Sequence, residues 1–235
     1  MKIGFLSDAH GNPAGLELCF RMLEQQRVDK VYFLGDAVGY FSQWRDVLEF
    51  LRKNDVECVR GNHDQLVLEN TLDDLGENAY QLRAEYRHDI ESYLDWMATW
   101  PVRREIVCDS TRILMVHGSP FDPVNGYVYP WSDLSVFGSV DADVVVMGHT
   151  HRPFLASVGK NTLLNVGSCG LPRDVGNLAS FAMFDGEYGE CKVFRCRMDT
   201  AKVLERVVPP HPDVLSCLQR RAESYMGTLV SEQGE

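Results

Sequence analysis

Along the chain, short runs of consecutive apolar residues alternate with segments whose apolar residues recur every three or four positions. Lys2 to Leu6, Lys30 to Leu34 and Val56 to Val59 are runs of the first kind. Between them, Leu16, Leu18, Cys19, Met22 and Leu23 fall on one face of a helix predicted over Ala14 to Gln26, and Val47, Leu48 and Leu51 do the same within Gln43 to Lys53. This β-α-β-α-β order predicts a parallel sheet, whose loops gather at the carboxyl ends of its strands.

The pattern changes at Gln65. From there to Trp100 the apolar positions Ala79, Leu82, Tyr86, Ile90, Tyr93, Leu94 and Met97 step by three and four, while Glu85, Arg87, His88, Asp89 and Glu91 take the other face. That spacing predicts helix alone, ended by Pro101. Arg104 to Val107 and Arg112 to Val116 read as a hairpin turned by Asp109 and Ser110. Phe121 to Trp131, aromatic and broken by Pro123, Gly126 and Pro130, predicts an irregular surface loop. Val144 to Met147, Leu155 to Val158, Thr162 to Val166, Ala179 to Phe184 and Cys191 to Arg197 then follow as strands without long helices, which predicts a mixed or antiparallel sheet. Pro209, Pro210 and Pro212 mark a turn, a closing helix is expected from about Asp213, and Ser231 to Glu235 are expected to fray.

At 235 residues the chain is long enough for one sizeable core, and a single domain over 1–235 is expected. A net charge of −11 offers no footprint for a nucleic-acid backbone, so stable duplex binding is not expected. A small phosphorylated substrate stays compatible, because divalent ions turn a carboxylate-rich pocket locally positive. No apolar run approaches the roughly 18 to 20 residues of a membrane span. The amino terminus, carrying Asp8 and His10, does not read as a signal peptide, and a cytoplasmic protein is expected. The seven cysteines are odd in number and never spaced as CxxC, so neither a zinc ribbon nor a disulfide framework is indicated, and most are expected to be buried thiols.

The candidate chemistry sits where the apolar runs stop. Asp8 and His10 follow the first, Asp36 the second, Asn62, His63 and Asp64 the third, His117 the hairpin, and His149 and His151 the run Val144 to Met147. Five of the seven histidines therefore lie directly after an apolar strand and beside a glycine or an acidic residue. The other two, His88 and His211, read as surface histidines. Side chains two apart on an extended backbone share a side, so Asp8 with His10, and His149 with His151, each read as a pair of claws. Imidazole, carboxylate and amide oxygen, without thiolate, suit borderline divalent ions such as manganese, iron, cobalt, nickel or zinc.

In order, Asp8-Ala-His10, Gly35-Asp36, Gly61-Asn-His-Asp64, His117-Gly118 and Gly148-His-Thr-His151 resemble the DxH, GD, GNHD, HG and GHxH motifs of the calcineurin-like metallophosphoesterase superfamily. Asp36-Ala-Val-Gly-Tyr40, Val116-His-Gly-Ser-Pro120 and Asn165-Val-Gly-Ser-Cys-Gly-Leu-Pro-Arg173 are similar to its small bacterial and archaeal phosphodiesterase branch, although Phe41, Val166 and Cys169 depart from that branch's common residues. The resemblance implies an α/β fold, a four-layer α-β-β-α sandwich of two mixed β-sheets. It implies one metal at Asp8, His10, Asp36 and His151 and a second at Asp36, Asn62, His117 and His149, bridged by Asp36. Manganese is the first expectation, with iron, nickel, cobalt, zinc or magnesium also in range. The implied activity is that of a phosphoesterase, above all a phosphodiesterase. In it a metal-bridging hydroxide attacks phosphorus, His63 is the general acid and Asp64 orients it, a helix N-cap being the other reading of Asp64. Asn12, Tyr40 and Arg173 are candidate substrate contacts. A phosphomonoesterase using the same site, or a non-catalytic scaffold of the same fold, are the alternatives. The full ligand set together with His63 favours the enzyme, and a homo-oligomer stays open.

Overall fold

A computed structural model of the chain describes residues 1–69, 87–205 and 211–231, and of 87–89 the backbone alone. β1 (Lys2–Leu6), β2 (Lys30–Phe33) and β3 (Glu57–Cys58) are parallel neighbours, returned by α1 (Pro13–Gln25) and α2 (Trp44–Lys53). After the turn at β3 come α3 (Asn62–Leu68) and α4 (Arg87–Ala98), then β4 (Arg103–Cys108), β5 (Thr111–Val116), β6 (Val144–Met147), β7 (Phe154–Val158) and β8 (Asn161–Asn165). β9 (Leu178–Asp185), β10 (Glu190–Arg197), α5 (Thr200–Glu205), α6 (Pro212–Gln219) and β11 (Thr228–Val230) complete the order.

The strands form two mixed sheets. One runs β11-β10-β9-β1-β2-β3 and the other β4-β5-β6-β8-β7. The chain enters the first sheet as parallel β1 to β3 and rejoins it at the far end through β9, antiparallel to β1. In the second sheet β5, β6 and β8 are parallel, flanked by antiparallel β4 and β7.

Strands whose side chains alternate between two covered faces must be apolar at every position, and this accounts for the uninterrupted runs in the sequence. Ile3 and Phe5 of β1, Met115 of β5, Val144 and Val146 of β6 and Phe184 of β9 meet between the sheets. Leu6, Phe181 and Met183 point the other way, onto Leu16, Met22, Leu48, Leu51, Ile90, Tyr93 and Met97 of α1, α2 and α4. On the outer face of the second sheet, Leu114, Val116, Val145 and Met147 pack under Val128, Phe137 and Val140, so a 3-10 turn at Ser135–Ser139 and its loops form the fourth layer.

Differences from the sequence pattern are local. α3 begins at Asn62, not Gln65, because its first turn is polar and carries no periodic signal. The third strand shortens to Glu57–Cys58, with one further ladder bond from Val59 N to Phe33 O. α5 and β11 were not predicted. His211 caps α6 by accepting a hydrogen bond from Asp213 N at 3.2 Å, a more specific role than a surface position. The expected helical positions Ala79, Leu82, Glu85 and Tyr86, the side chains of Arg87, His88 and Asp89, the turn residues Pro209 and Pro210, and residues 232–235 lie outside what is described. Six of the seven thiols are buried and none is paired in a disulfide; burial pushes the partly exposed Cys191 up to about 12. Among the described residues no helix is long and apolar enough to cross a membrane.

Candidate metal centre

Five strands end at one place. The carboxyl ends of β1, β2 and β3 in the first sheet and of β5 and β6 in the second deliver Asp8, His10, Asp36, Asn62, His63, His117, His149 and His151 to a common cluster. Past their strands the loops stay hydrogen-bonded to one another: Asp8 N donates to Gly35 O (3.0 Å), His10 N to Asp36 O (2.9 Å) and Gly11 N to Ala37 O (2.8 Å).

The backbone there is not extended. Asp8, His10, Asp36, Tyr40, His149 and His151 all have φ between 51° and 64°, a left-handed conformation costing about 1–2 kcal/mol per residue. This corrects the claw picture. Asp8 and His10 do face the same cluster, but His149 and His151 part company: His151 joins Asp8 and His10, whereas His149 joins Asp36 and His117. A left-handed residue turns successive side chains in directions that a strand does not allow.

Backbone carbonyls set the imidazole orientations. Nδ1 of His10 lies 3.1 Å from Val38 O, Nδ1 of His117 2.7 Å from Leu34 O, and Nδ1 of His151 2.6 Å from Leu171 O. A carbonyl only accepts, so each Nδ1 carries the proton and each Nε2 is turned into the cluster. There the Nε2 atoms of His10 and His151 stand 2.9 Å apart, and Asp8 Oδ1 lies 3.3 Å from His151 Nε2 and 3.8 Å from His10 Nε2, buried and with no hydrogen-bond donor. Two imidazole lone pairs and a carboxylate oxygen facing one another repel unless a cation sits among them. His117 Nε2 likewise meets Asn62 Oδ1 at 3.1 Å and His149 Nδ1 at 3.1 Å. Asp36 belongs to both groups: its Oδ2 lies 3.5 Å from His10 Nε2 and 3.4 Å from His117 Nε2. The donor set fits divalent cations, and these seven residues could hold them.

The electrostatics agree. Burial pushes His10 well below the ordinary imidazole range, and it pushes His63 and His149 down to about 4. Burial and the Arg173 guanidinium lower His151. Burial also opposes ionisation of Asp8 and Asp36, but His151 beside the first and His117 beside the second hold both carboxyls below their usual value. His117 is the exception among the imidazoles: burial lowers it, yet the Asp36 carboxylate outweighs burial and it is pushed up to about 9.

His63 is buried at the margin of the cluster, its ring 4.6 Å from that of His10 and 5.1 Å from that of Tyr40, with Nε2 3.9 Å from Asp36 Oδ2. Asp64 takes up the helix-capping role that the sequence also allowed. The carboxylate accepts from the backbone N–H of Asp36 (2.8 Å), Ala37 (3.0 Å) and Gly61 (2.9 Å), which makes it the N3 acceptor of α3, with Gly61 as N-cap, and ties the Asp36 loop to that helix. Burial and the Asp36 charge push Asp64 up to about 7 against those amide donors.

Asn12 is likewise engaged elsewhere. Buried at the start of α1, it accepts from Gly15 N at 3.2 Å and donates to Gly170 O at 2.8 Å, so its amide braces a helix end. Tyr40 and Arg173 do come together beside the cluster, Arg173 Nη2 donating to Tyr40 Oη at 3.1 Å.

Several supporting residues were not singled out in the sequence, although Asn165 and Ser168 lie within one of the quoted motifs. Ser7 donates to Asp8 Oδ2 (2.6 Å), Ser168 to Asp8 O (2.7 Å), and Asn165 Nδ2 to Gly148 O (2.7 Å) and Thr150 Oγ1 (3.2 Å). Fully buried Arg195 grips Asp174 at 2.5 and 2.9 Å and donates to Leu178 O at 2.6 Å. Asn165 and Arg195 stand next to apolar neighbours in β8 and β10 and are themselves fully buried, and a buried polar side chain of that kind needs partners.

The sequence model of the calcineurin-like phosphoesterase superfamily domain matches residues 1–189. The chain is 28% identical to an uncharacterized protein of Methanocaldococcus jannaschii, over 88% of this chain and 91% of that protein. It is 25% identical to the phosphodiesterase YfcE of Escherichia coli strain K12, over 80% of this chain and 89% of that protein. The crystal structure of a metallophosphoesterase from Sphaerobacter thermophilus superposes with a TM-score of 0.72 at 25% identity, covering 93% of this chain and 98% of that one.

Proposed function

This chain belongs to the calcineurin-like phosphoesterase superfamily and is a metal-dependent phosphoric ester hydrolase, and from that premise we propose a phosphodiesterase with two metals bridged by Asp36. Asp36 Oδ2 carries the reading, since one oxygen within 3.5 Å of His10 Nε2 and 3.4 Å of His117 Nε2 serves both ligand groups. Asp8, His10 and His151 would complete one side, and Asn62, His117 and His149 the other. Manganese is the proposed ion, in keeping with nitrogen and oxygen donors and no thiolate. When bound, two divalent cations supply an acidified water as nucleophile and positive charge for the phosphoryl oxygens.

The chain's own groups do the rest. Val38 O, Leu34 O and Leu171 O hold three imidazoles with Nε2 inward, and the left-handed loops keep the ligands in place before substrate arrives. His63 is the proposed donor of the proton to the leaving oxygen. Burial pushes it down to about 4, and the negative charge of a bound phosphate would oppose that shift. Asp64 acts through Asp36 as a positioning residue. Arg173, joined to Tyr40, is proposed to meet the substrate beside His63. The diester preference draws on the relative named as a phosphodiesterase.

Metal analysis and paired assays test this reading. Two metals per chain are expected, together with faster turnover of bis(p-nitrophenyl) phosphate than of p-nitrophenyl phosphate. Full activity with one metal per chain removes the bridge, and a preparation that stays metal-free and inert after manganese addition removes the two-metal site.

A further inference from the structure

Three arginines line one cavity next to the proposed metal ligands. The cavity, of about 350 Å³, is lined by Arg152, Arg173 and Arg220 with Tyr40 and Tyr129. Its wall is continuous with the metal cluster: Leu171, which lines it, accepts from His151 Nδ1 at 2.6 Å, and the Tyr40 ring lies 4.7 Å from that of His10. The Arg173 charge reaches the cluster as well, standing second to burial in lowering His151.

None of the three arginines has a carboxylate partner among the described residues. Arg173 donates to Tyr40 Oη and Arg220 to the backbone carbonyl of Arg173, both at 3.1 Å, and the Arg152 guanidinium carbon lies 5.8 Å from the Trp131 ring. Asp213, the one carboxylate on the cavity wall, faces His211 at 3.5 Å with its side chain 84% exposed. The chain carries 34 acidic and 23 basic side chains, so three cations gathered without anions are a costly arrangement that an incoming anion relieves. Guanidinium forks match the oxygens of a phosphate and offer it several charge-assisted hydrogen bonds at once. On the Arg152 side, Tyr129 and Trp131 stack on each other at 5.0 Å with planes 6° apart, which braces the wall beneath the Arg152 guanidinium.

We infer that this cavity is a second anion subsite, which takes a phosphate carried by the substrate in addition to the phosphoryl group at the metal cluster. The substrate class is then a phosphodiester bearing a further phosphate. Its place beside a reacting phosphorus rests on the phosphodiesterase reading proposed above, whereas anion binding in the cavity does not.

Two esters isolate the effect: the p-nitrophenyl ester of thymidine 5′-phosphate, and the same ester carrying a 3′-phosphate. They share base and scissile bond. With manganese the wild-type enzyme is expected to favour the second in kcat/KM by about tenfold or more, through KM, as one or more charge-assisted hydrogen bonds would give. Arg152→Gln and Arg220→Gln are expected to bring that ratio close to one. Arg152 donates no side-chain hydrogen bond within the described residues, so its variant decides if the Arg220 variant is unstable. Calorimetric titration of the full-length protein with inorganic phosphate, with and without manganese, gives a readout free of turnover: a manganese-independent site is expected, lost in Arg152→Gln. A wild-type ratio near one, a ratio indifferent to both variants, or phosphate binding only with manganese overturns the subsite. If neither ester is hydrolysed with any metal, the phosphodiesterase reading fails while the phosphate titration still decides the cavity.

Discussion

Substituting alanine for Gly61 perturbs the proposed bridging carboxylate without replacing any proposed ligand. Gly61 has φ −92° and ψ 175°, extended backbone open to any residue, so the whole effect comes from the added methyl. Its Cβ would lie 2.2 Å from Asp36 Oδ1 and 2.4 Å from Asp36 N. Neither atom is free to retreat, because Oδ1 accepts from His63 N at 2.9 Å and the Asp36 N–H donates to Asp64 at 2.8 Å. Restoring ordinary separation moves the Asp36 carboxylate by about 1 Å, and a displacement of that size costs on the order of a hundredfold in rate. Overpacking costs about 1–3 kcal/mol, which lowers Tm by roughly 2–10 °C for a chain of this length. Metal content, thermal unfolding and kcat/KM on bis(p-nitrophenyl) phosphate are measured against Gly138→Ala, whose Cβ meets nothing closer than 3.7 Å and which is expected to behave as wild type. A Gly61→Ala enzyme with its full metal content and kcat/KM within about threefold of wild type would refute the close-packed bridge.

Three further outcomes are expected. His63→Ala should retain both metals and lose turnover most on esters with poor leaving groups; an equal loss on an activated nitrophenyl ester would rule out proton donation. Metal uptake near pH 7.5 should release a proton from His117, because its value near 9 in the empty protein means that a cation must displace that proton. Raising the pH removes the competitor, so apparent metal affinity should climb until about pH 9 and then level, and an affinity flat between pH 7 and 9 would contradict this. Arg195→Met should cost about 3–5 kcal/mol in urea unfolding, since it strands Asp174 without its partner, and Arg195→Met with Asp174→Leu should recover part of the loss.

The sheet strands were legible because both of their faces are covered, which leaves the interiors of β1 and β6 without a polar position and β9 with one, Ser180, whose hydroxyl donates to Val166 O at 2.6 Å. The clustering of the candidate ligands was legible for a related reason. Imidazoles and carboxylates placed directly after buried strands stay buried themselves, and Asp8, His10, Asp36, His117 and His151 are each no more than 1% exposed. The sequence left Asp64 between a helix cap and a partner of His63, and did not show that Asn12 braces a helix end, because capping and site roles use the same polar atoms and only the partners distinguish them. α3 started early because its first turn is made of site residues with no apolar period to announce it.

Hydrophobic period and residue order alone determined the strands, the main helices and the candidate ligand types, since each is written in neighbours a few positions apart. Tertiary structure decided how the candidate ligands are grouped in space: the left-handed backbone at His149 and His151 turns neighbouring imidazoles towards different partners. It also decided the arginine cavity and the buried Arg195–Asp174 pair, whose members lie on separate strands, loops and helix ends. Side chains that far apart along the chain act on one another only once folding has brought them within a few ångströms.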